Sequence, residues 1–228
     1  MKTPLILEIK GNSLDDGPGI RSVVFFKGCP LSCLWCHNPE SKRQGVEIAF
    51  DAVECIGCNT CLEICREGAL SREDRFYVDR NKCSLCFDCV ATCPSQALRR
   101  VGAPMPGEEI TGTVLKDKLF FQNSGGGVTL SGGEPTLYAD FIGDLLNHLK
   151  REGIHTLVET CGLFDAETFE QMLYPFLDLI YYDIKLMDDT MHRQYCGVSN
   201  QVILNNFGCL FRHFQAGGVE ILPRTPLI

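Results

Sequence analysis

The chain has no long hydrophobic run. Its longest apolar candidate, Tyr174 to Leu186, is broken by Pro175, Asp178 and Asp183, so nothing approaches the ~20 apolar residues of a membrane span. The opening stretch, Met1 to Lys10, also lacks the apolar core of a secretory signal. Positive charge is short as well: 21 Lys and Arg stand against 29 Asp and Glu, a formal net charge of −8, and the cations are dispersed. Neutralising phosphate requires a basic face, so a nucleic-acid binder is excluded. These absences lead to the expectation of a soluble, cytoplasmic and monomeric protein with neither a membrane nor a nucleic acid as partner.

Cysteine is abundant. Fourteen in 228 residues would suit a secreted disulfide scaffold, but a hydrophobic fraction of 45% and the missing signal point to a reducing compartment and an oxygen-sensitive enzyme. Eleven fall into three tight groups. Two are quartets, Cys55, Cys58, Cys61, Cys65 and Cys83, Cys86, Cys89, Cys93, each reading CxxCxxCxxxC. The third, Cys29, Cys33 and Cys36, reads CxxxCxxC and has no fourth member. Three thiolates on a four-iron cluster leave one iron open for a substrate or cofactor.

Each cysteine of the first quartet recurs 28 residues later, from Cys55 to Cys83 through Cys65 to Cys93. The quartets therefore read as one inserted module of two halves, 50–98, followed by a linker rich in Gly and Pro (Gly102, Pro104, Pro106, Gly107). Structural zinc usually takes two separated cysteine pairs, whereas this spacing is the ferredoxin run. In such runs the fourth cysteine ligates the other cluster. That rule assigns Cys55, Cys58, Cys61 and Cys93 to one [4Fe-4S] cluster and Cys83, Cys86, Cys89 and Cys65 to a second. Pro94 follows the second run, but Arg66 replaces proline after the first.

The remaining segments, 1–49 and 99–228, have room for about six βα units at roughly 30 residues per step, too few for a complete eight-unit barrel. Strands are expected at Arg21 to Lys27, Gly127 to Leu130, Thr156 to Glu159, Leu177 to Lys185 and Gly218 to Leu222. Helical spacing links Phe141, Ile142, Leu145, Leu146 and Leu149 before Gly153, and Val202, Ile203, Phe207, Leu210, Phe211 and Phe214 before Gly217. Asp165 is a candidate N-cap for a helix burying Phe169, Met172 and Leu173. Alternating strands and helices imply a parallel sheet with chemistry at the carboxyl ends of its strands. That rim would collect the cysteine triplet, SGGEP (Ser131 to Pro135), Glu159 to Cys161, and Asp183 with Lys185. An ammonium buried at Lys185 would need an anion; the alternative is that Lys185 snorkels to solvent.

Four motifs carry a family resemblance: DGPGIR (Asp16 to Arg21), KGCPLSCLWCHNPES (Lys27 to Ser41), SGGGVTLSGGEP (Ser124 to Pro135) and DIK (Asp183 to Lys185). Together they resemble the radical S-adenosylmethionine (SAM) superfamily, and within it the glycyl-radical-enzyme activating enzymes with a ferredoxin-like insert. The resemblance implies an α/β fold: a partial (β/α)6-type barrel interrupted by an inserted α+β domain with two [4Fe-4S] clusters. It also implies an oxidoreductase that reductively cleaves SAM at the Cys29, Cys33, Cys36 cluster. The 5′-deoxyadenosyl radical would then abstract a hydrogen from a glycine of a partner enzyme, with a flavodoxin or ferredoxin-type protein as reductant. Cys29, Cys33, Cys36, Asp183 and Lys185 are the implied catalytic residues. Trp35, Gly132, Gly133, Glu134, Glu159, Asp183 and Lys185 are the implied SAM contacts, with Trp35 beside the adenine and Glu134 accepting from the amino group. Glu159, Thr160 and Asp183 form an oxygen-rich patch that could hold a cation.

Other residues are expected to be ordinary. Cys161, Cys196 and Cys209 read as small buried hydrophobes, His37 as a hydrogen-bonded histidine or a neighbour of the cluster, and His148, His155, His192 and His213 show no ligand spacing. DGPG could be a tight turn; the resemblance makes it part of the surface that receives the glycine-bearing loop. The chain stops at PRTPLI (Pro223 to Ile228) just beyond its fifth expected strand, where relatives continue, so an unpaired barrel edge is expected. A radical SAM enzyme acting on a small molecule and an electron carrier remain the two competing functions.

Overall fold

The computed structural model describes residues 3–227. It divides into two compact units, Gly45–Ala103 and the chain on either side of it.

The larger unit is built on a sheet of order β5-β1-β2-β6-β7-β8-β9. Its first strand, β1 (Leu5–Ser13), runs antiparallel to β2 (Arg21–Phe26), with register shifts between Ile6 and Glu8 and between Lys10 and Ser13. This strand was not among those expected. The cysteine triplet therefore follows the second strand of the chain. β5 (Ala103–Pro104) marks the return from the smaller unit. The next four strands are all parallel: β6 (Gly127–Gly132), β7 (His155–Thr160), β8 (Leu179–Asp183) and β9 (Glu220–Arg224). Their registers pair Phe26 with Gly132 and Asp183 with Arg224, so the carboxyl ends share one rim. β8 is shorter than expected and leaves Lys185 just beyond its end, while β9 begins two residues late, after the turn at Gly217 and Gly218.

Helices fill the crossovers. α3 (Gly107–Val114) and α4 (Lys118–Ser124) precede β6. α5 (Ala139–Arg151) buries Phe141, Ile142, Leu145, Leu146 and Leu149, the full stripe read from the sequence, and stops before Gly153, whose φ of 71° suits a residue without Cβ. α6 (Ala166–Met172) is capped by Asp165, whose carboxylate accepts from the Thr168 N–H at 2.9 Å. α7 (Asp189–Cys196) and α8 (Gln201–Gln215) connect β8 to β9. The expected stripe of α8 is only partly buried. Ile203 and Leu210 are in the core, Val202, Phe211 and Phe214 are exposed, and Asn206 is buried instead because its amide donates to the carbonyls of Gly162 and Phe164. No described helix is long and apolar enough to cross a membrane.

The DGPGIR and SGGG segments interlock at the opposite end of the strands. Ile20 N–H donates to Ser124 Oγ at 2.9 Å, and Gly127 N–H donates to the Ile20 carbonyl at 3.2 Å. A Cβ on Gly126 would lie 1.8 Å from that carbonyl oxygen, which leaves no room for any side chain. Gly126→Ala is expected to cost roughly 3 kcal/mol, read as a fall in Tm of roughly 6 to 12 °C; an unchanged Tm would contradict this packing.

The smaller unit has a two-stranded ribbon, β3 (Glu47–Phe50) antiparallel to β4 (Leu98–Val101), and two short helices, α1 (Thr60–Ile64) and α2 (Asp88–Ala91). Its core comprises Ile48, Leu70, Tyr77, Val78, Cys89 and Leu98, with Tyr77 stacked on Phe50 at 3.8 Å between centroids. The sequence repeat is also a backbone repeat. Left-handed residues recur in pairs 28 apart: Gly57 with Leu85, Asn59 with Phe87, and Gly68 with Gln96. Holding a leucine and a phenylalanine in that region costs roughly 1 to 2 kcal/mol each, a strain retained where the surroundings over-determine the loop.

Candidate functional site

The larger unit opens at its strand rim into a cleft of about 660 Å³. Cys29, Cys33 and Cys36 line it, with Ser131, Gly132 and Gly133 from the end of β6, Glu159, Thr160 and Cys161 from β7, and Asp183 and Lys185 from β8. Residues separated by more than 150 positions in sequence are thus brought to one wall. Asp15 and Asp16, on the DGPG loop, also line the cleft. That loop is held by the fully buried Arg21. Its guanidinium donates to Thr129 Oγ1 at 2.6 Å, the Val128 carbonyl at 2.7 Å and the Pro18 carbonyl at 3.2 Å, and burial lowers its pKa to about 10. Thr129 in turn donates to the Asp16 carbonyl at 2.8 Å.

The triplet loop is fixed by backbone hydrogen bonds on both sides. Cys29 N–H donates to the Lys42 carbonyl at 3.0 Å, Ser32 N–H to the Cys196 carbonyl at 2.8 Å, and Leu34 N–H to the Tyr195 carbonyl at 3.0 Å. Lys42 Nζ donates to the Cys33 carbonyl at 2.6 Å. Trp35 lines the cleft half-buried, its ring 6.3 Å from that of Tyr195, and His37 lines it as well. Gly132 and Gly133 have a further reason to be glycine. Added Cβ atoms would fall 2.5 Å from the Phe26 backbone and 2.1 Å from the Gly28 carbonyl, so their bareness lets the SGGEP loop close on the triplet loop.

Glu134 lies behind the cleft instead of lining it. Fully buried, its carboxylate accepts from Thr136 N–H and Oγ1, from Thr160 Oγ1 at 2.9 Å and from Cys161 N–H at 2.7 Å, while its own N–H donates to the Gly28 carbonyl at 2.7 Å. It ties three segments of the wall together.

The charged corner forms a chain. Arg224 donates to Glu159 at 2.7 Å and to Asp183 at 3.0 Å while lying 4.6 Å over the Tyr181 ring. Lys185 donates to the other oxygen of Asp183 at 2.8 Å, and the Ser131 hydroxyl bonds Glu159. Burial works against both cations, yet the neighbouring carboxylates prevail and raise the pKa of each. One anion that answers the half-buried Lys185 is Asp183. Sequence reasoning left Arg224 without a role, because its bridge to Asp183 and Glu159 depends on the β8–β9 register.

Cys161 and Cys196 are buried, as expected. The neighbouring Cys29 and burial hold the Cys161 thiol well above the usual thiol range. Cys209 is half-exposed and accepts from Arg212 at 3.1 Å.

In the smaller unit, one cavity is lined by Cys55, Cys58, Cys61 and Cys93, and a second by Cys65, Cys83, Cys86 and Cys89. Each thus receives its fourth cysteine from the other half of the repeat. Tyr77 reaches the first through a 3.1 Å hydrogen bond between its hydroxyl and Cys61 Sγ. Among the described residues, no three His, Cys, Asp or Glu side chains converge on a single-ion point.

A model of the radical SAM superfamily matches residues 23–216. The chain belongs to the radical SAM superfamily. An isethionate sulfite-lyase activating enzyme of Nitratidesulfovibrio vulgaris is 44% identical over 232 residues, covering 99% of this chain and 75% of that protein. A trans-4-hydroxy-L-proline dehydratase activating enzyme of Clostridioides difficile is 40% identical, covering 99% of this chain and 74% of the relative. Among solved structures, a domain of a pyruvate-formate lyase-activating enzyme from Bacteroides vulgatus shares 36% identity at a TM-score of 0.39, covering 45% of this chain and 61% of that one. Radical SAM membership implies SAM and a [4Fe-4S] cluster, and the three-cysteine loop stands in the cleft beside its charged corner.

Proposed function

We propose that this chain activates a glycyl radical enzyme. With its cluster and SAM bound, the cleft supplies a 5′-deoxyadenosyl radical for abstracting a hydrogen from a glycine of the partner. The observation that carries the reading is the meeting, in one cleft, of the three-cysteine loop, the SGGEP wall, the Asp183–Lys185 pair and the DGPG loop. It is supported by relatives named as activating enzymes along almost the whole chain.

Cys29, Cys33 and Cys36 would hold the open cluster. Lys185 spends one proton on Asp183 and keeps two for a carboxylate such as that of SAM. Trp35 offers a ring face for the adenine. Gly132 and Gly133 present backbone to the ligand while their bare Cα atoms admit the triplet loop, and Glu134 keeps the wall in register from behind. Arg224 bridges Glu159 and Asp183, which holds the corner of oxygen atoms together. Asp16, on the loop pinned by Arg21, faces the cleft where a partner's glycine loop would enter. Lys185→Met is expected to raise the KM for SAM about tenfold, equivalent to about 1.4 kcal/mol, while iron content stays unchanged; an unaltered KM would count against its place in the SAM site.

In the smaller unit we assign Cys55, Cys58, Cys61 and Cys93 to one [4Fe-4S] cluster and Cys83, Cys86, Cys89 and Cys65 to the other. The two four-cysteine cavities with crossed fourth members support this, as do the left-handed loop residues repeated around them. The ferredoxin-like insert then offers an entry for electrons from a flavodoxin or ferredoxin-type reductant.

The test is anaerobic reconstitution with iron, sulfide, SAM and reductant, followed by mixing with candidate glycyl radical enzymes. A glycyl radical doublet in the electron paramagnetic resonance (EPR) spectrum of one partner is expected. If 5′-deoxyadenosine forms but no candidate acquires a radical and a small molecule is consumed instead, the small-molecule function replaces this one.

A further inference from the structure

We propose that the two cysteine cavities of the smaller unit differ in reduction potential. Hydroxyl donors, Tyr77 foremost, raise the Cys55, Cys58, Cys61 and Cys93 set, and carboxylates lower the Cys65, Cys83, Cys86 and Cys89 set. The proposal rests on the assignment of a [4Fe-4S] cluster to each cavity made above.

Three hydroxyls meet sulfurs of the first set. Tyr77 is 5% exposed, its ring is stacked on Phe50, and its hydroxyl lies 3.1 Å from Cys61 Sγ. Thr60 Oγ1 donates to Cys58 Sγ at 3.5 Å, and Ser95 Oγ stands 3.8 Å from Cys93 Sγ. On the second set, the hydrogen bond to sulfur found among the described residues is a backbone one, from Ala69 N–H to Cys65 Sγ at 3.3 Å. The repeat sharpens this contrast. Counting 28 residues on from Thr60 gives Asp88, and 28 back from Ser95 gives Glu67. Thr60 and Ser95 line the first cavity, whereas Asp88 and Glu67 line the second. The residues 28 positions from Tyr77 are Ala49 and Met105, neither with a hydroxyl. One arginine lines each cavity, Arg72 the first and Arg66 the second, so the cations do not make the difference.

The direction of these hydrogen bonds follows from the chemistry of the ligands. A cysteine bound to iron is a thiolate and carries no proton, so the Tyr77 and Ser95 hydroxyls are the donors. Hydrogen bonds to ligating sulfur disperse the negative charge gained on reduction, and they are among the factors that set cluster potentials. A carboxylate opposes the same added charge by Coulomb repulsion. Both effects act in one direction. The Cys55 set is therefore the first to be reduced, and the Cys83 set is the stronger reductant. Tyr77 contributes most, because its bond is sheltered in the core of the unit while the Thr60 contact is exposed and competes with water.

The deciding experiment is an EPR-monitored redox titration of the reconstituted full chain, following the reduced signals that do not change when SAM is added and that therefore report the insert. Two midpoints are expected in the wild type. Tyr77→Phe should shift the one-electron equilibrium of the higher one about tenfold towards the oxidised form, a fall of about 59 mV, and leave the lower one in place. Asp88→Asn should raise the lower midpoint alone. A single shared midpoint in the wild type, or an iron-replete Tyr77→Phe whose higher midpoint does not move, would overturn the proposal. Should Tyr77→Phe lose its iron, Asp88→Asn decides: a rise confined to the lower midpoint supports the proposal, and any other result overturns it. A wild type with about four irons per chain and no SAM-insensitive signal would instead overturn the assignment of clusters to the insert, while glycyl radical formation is judged separately on the partner.

Discussion

Cys29→Ala is expected to abolish SAM cleavage while leaving most of the iron in place. Cys29 is one of three ligands, with no fourth cysteine in the group, so its loss leaves two thiolates, too few to hold a four-iron cluster. Iron should fall by roughly a third, from about twelve per chain to about eight, because the two quartets of the insert retain their ligands. Formation of 5′-deoxyadenosine should drop at least about 1,000-fold, more than 4 kcal/mol of transition-state stabilisation at 1.36 kcal/mol per tenfold. Iron quantification and product analysis on one anaerobic preparation check both numbers. Iron near four in the wild type would contradict the assignment of three clusters. Activity surviving in the variant would show that SAM cleavage does not depend on this triplet.

Glu134→Ala should have the largest effect on stability. Its buried carboxylate accepts hydrogen bonds from Thr136, Thr160 and Cys161, and truncation strands several donors inside the wall of the cleft. Each unsatisfied buried donor costs roughly 1 to 3 kcal/mol, so a loss of about 4 kcal/mol in total is expected. Glu134→Gln should recover about half of it, since one amide oxygen can still accept. Denaturant unfolding of the two variants separates this role from ligand contact. A residue that only touched SAM would leave the unliganded protein at wild-type stability and change only the KM.

These two residues also mark what the sequence could and could not reveal. The cysteine spacing suggested an open triplet because such a pattern is local: a few residues carry it. The stripe of α5 and the Asp165 cap of α6 were legible for the same reason, with period and cap lying within a turn or two of chain. β1 was not, because its register shifts against β2 break the alternation that would have signalled a half-buried strand. On α8 the apolar stripe overstated burial, since Asn206 takes a core position for its hydrogen bonds to Gly162 and Phe164. The charged corner was legible in its members but not in its wiring. Asp183 and Lys185 announced themselves as neighbours on a strand, yet the bond from Arg224 depends on the register of β8 against β9, which no local pattern encodes. The partners of Glu134 were hidden for a similar reason: its motif puts it next to the cleft in sequence, and the fold turns its side chain towards Thr160 and Cys161.

The central claim is that the missing fourth ligand of the triplet is SAM. Its most direct test is electron–nuclear double resonance (ENDOR) on the reduced, reconstituted protein loaded with SAM carrying 15N in the amino group and 17O in the carboxylate. Couplings from both labels to the cluster of Cys29, Cys33 and Cys36 are the predicted result, and they should vanish in Cys29→Ala. A reduced cluster at the triplet that binds SAM yet shows neither coupling would contradict the account.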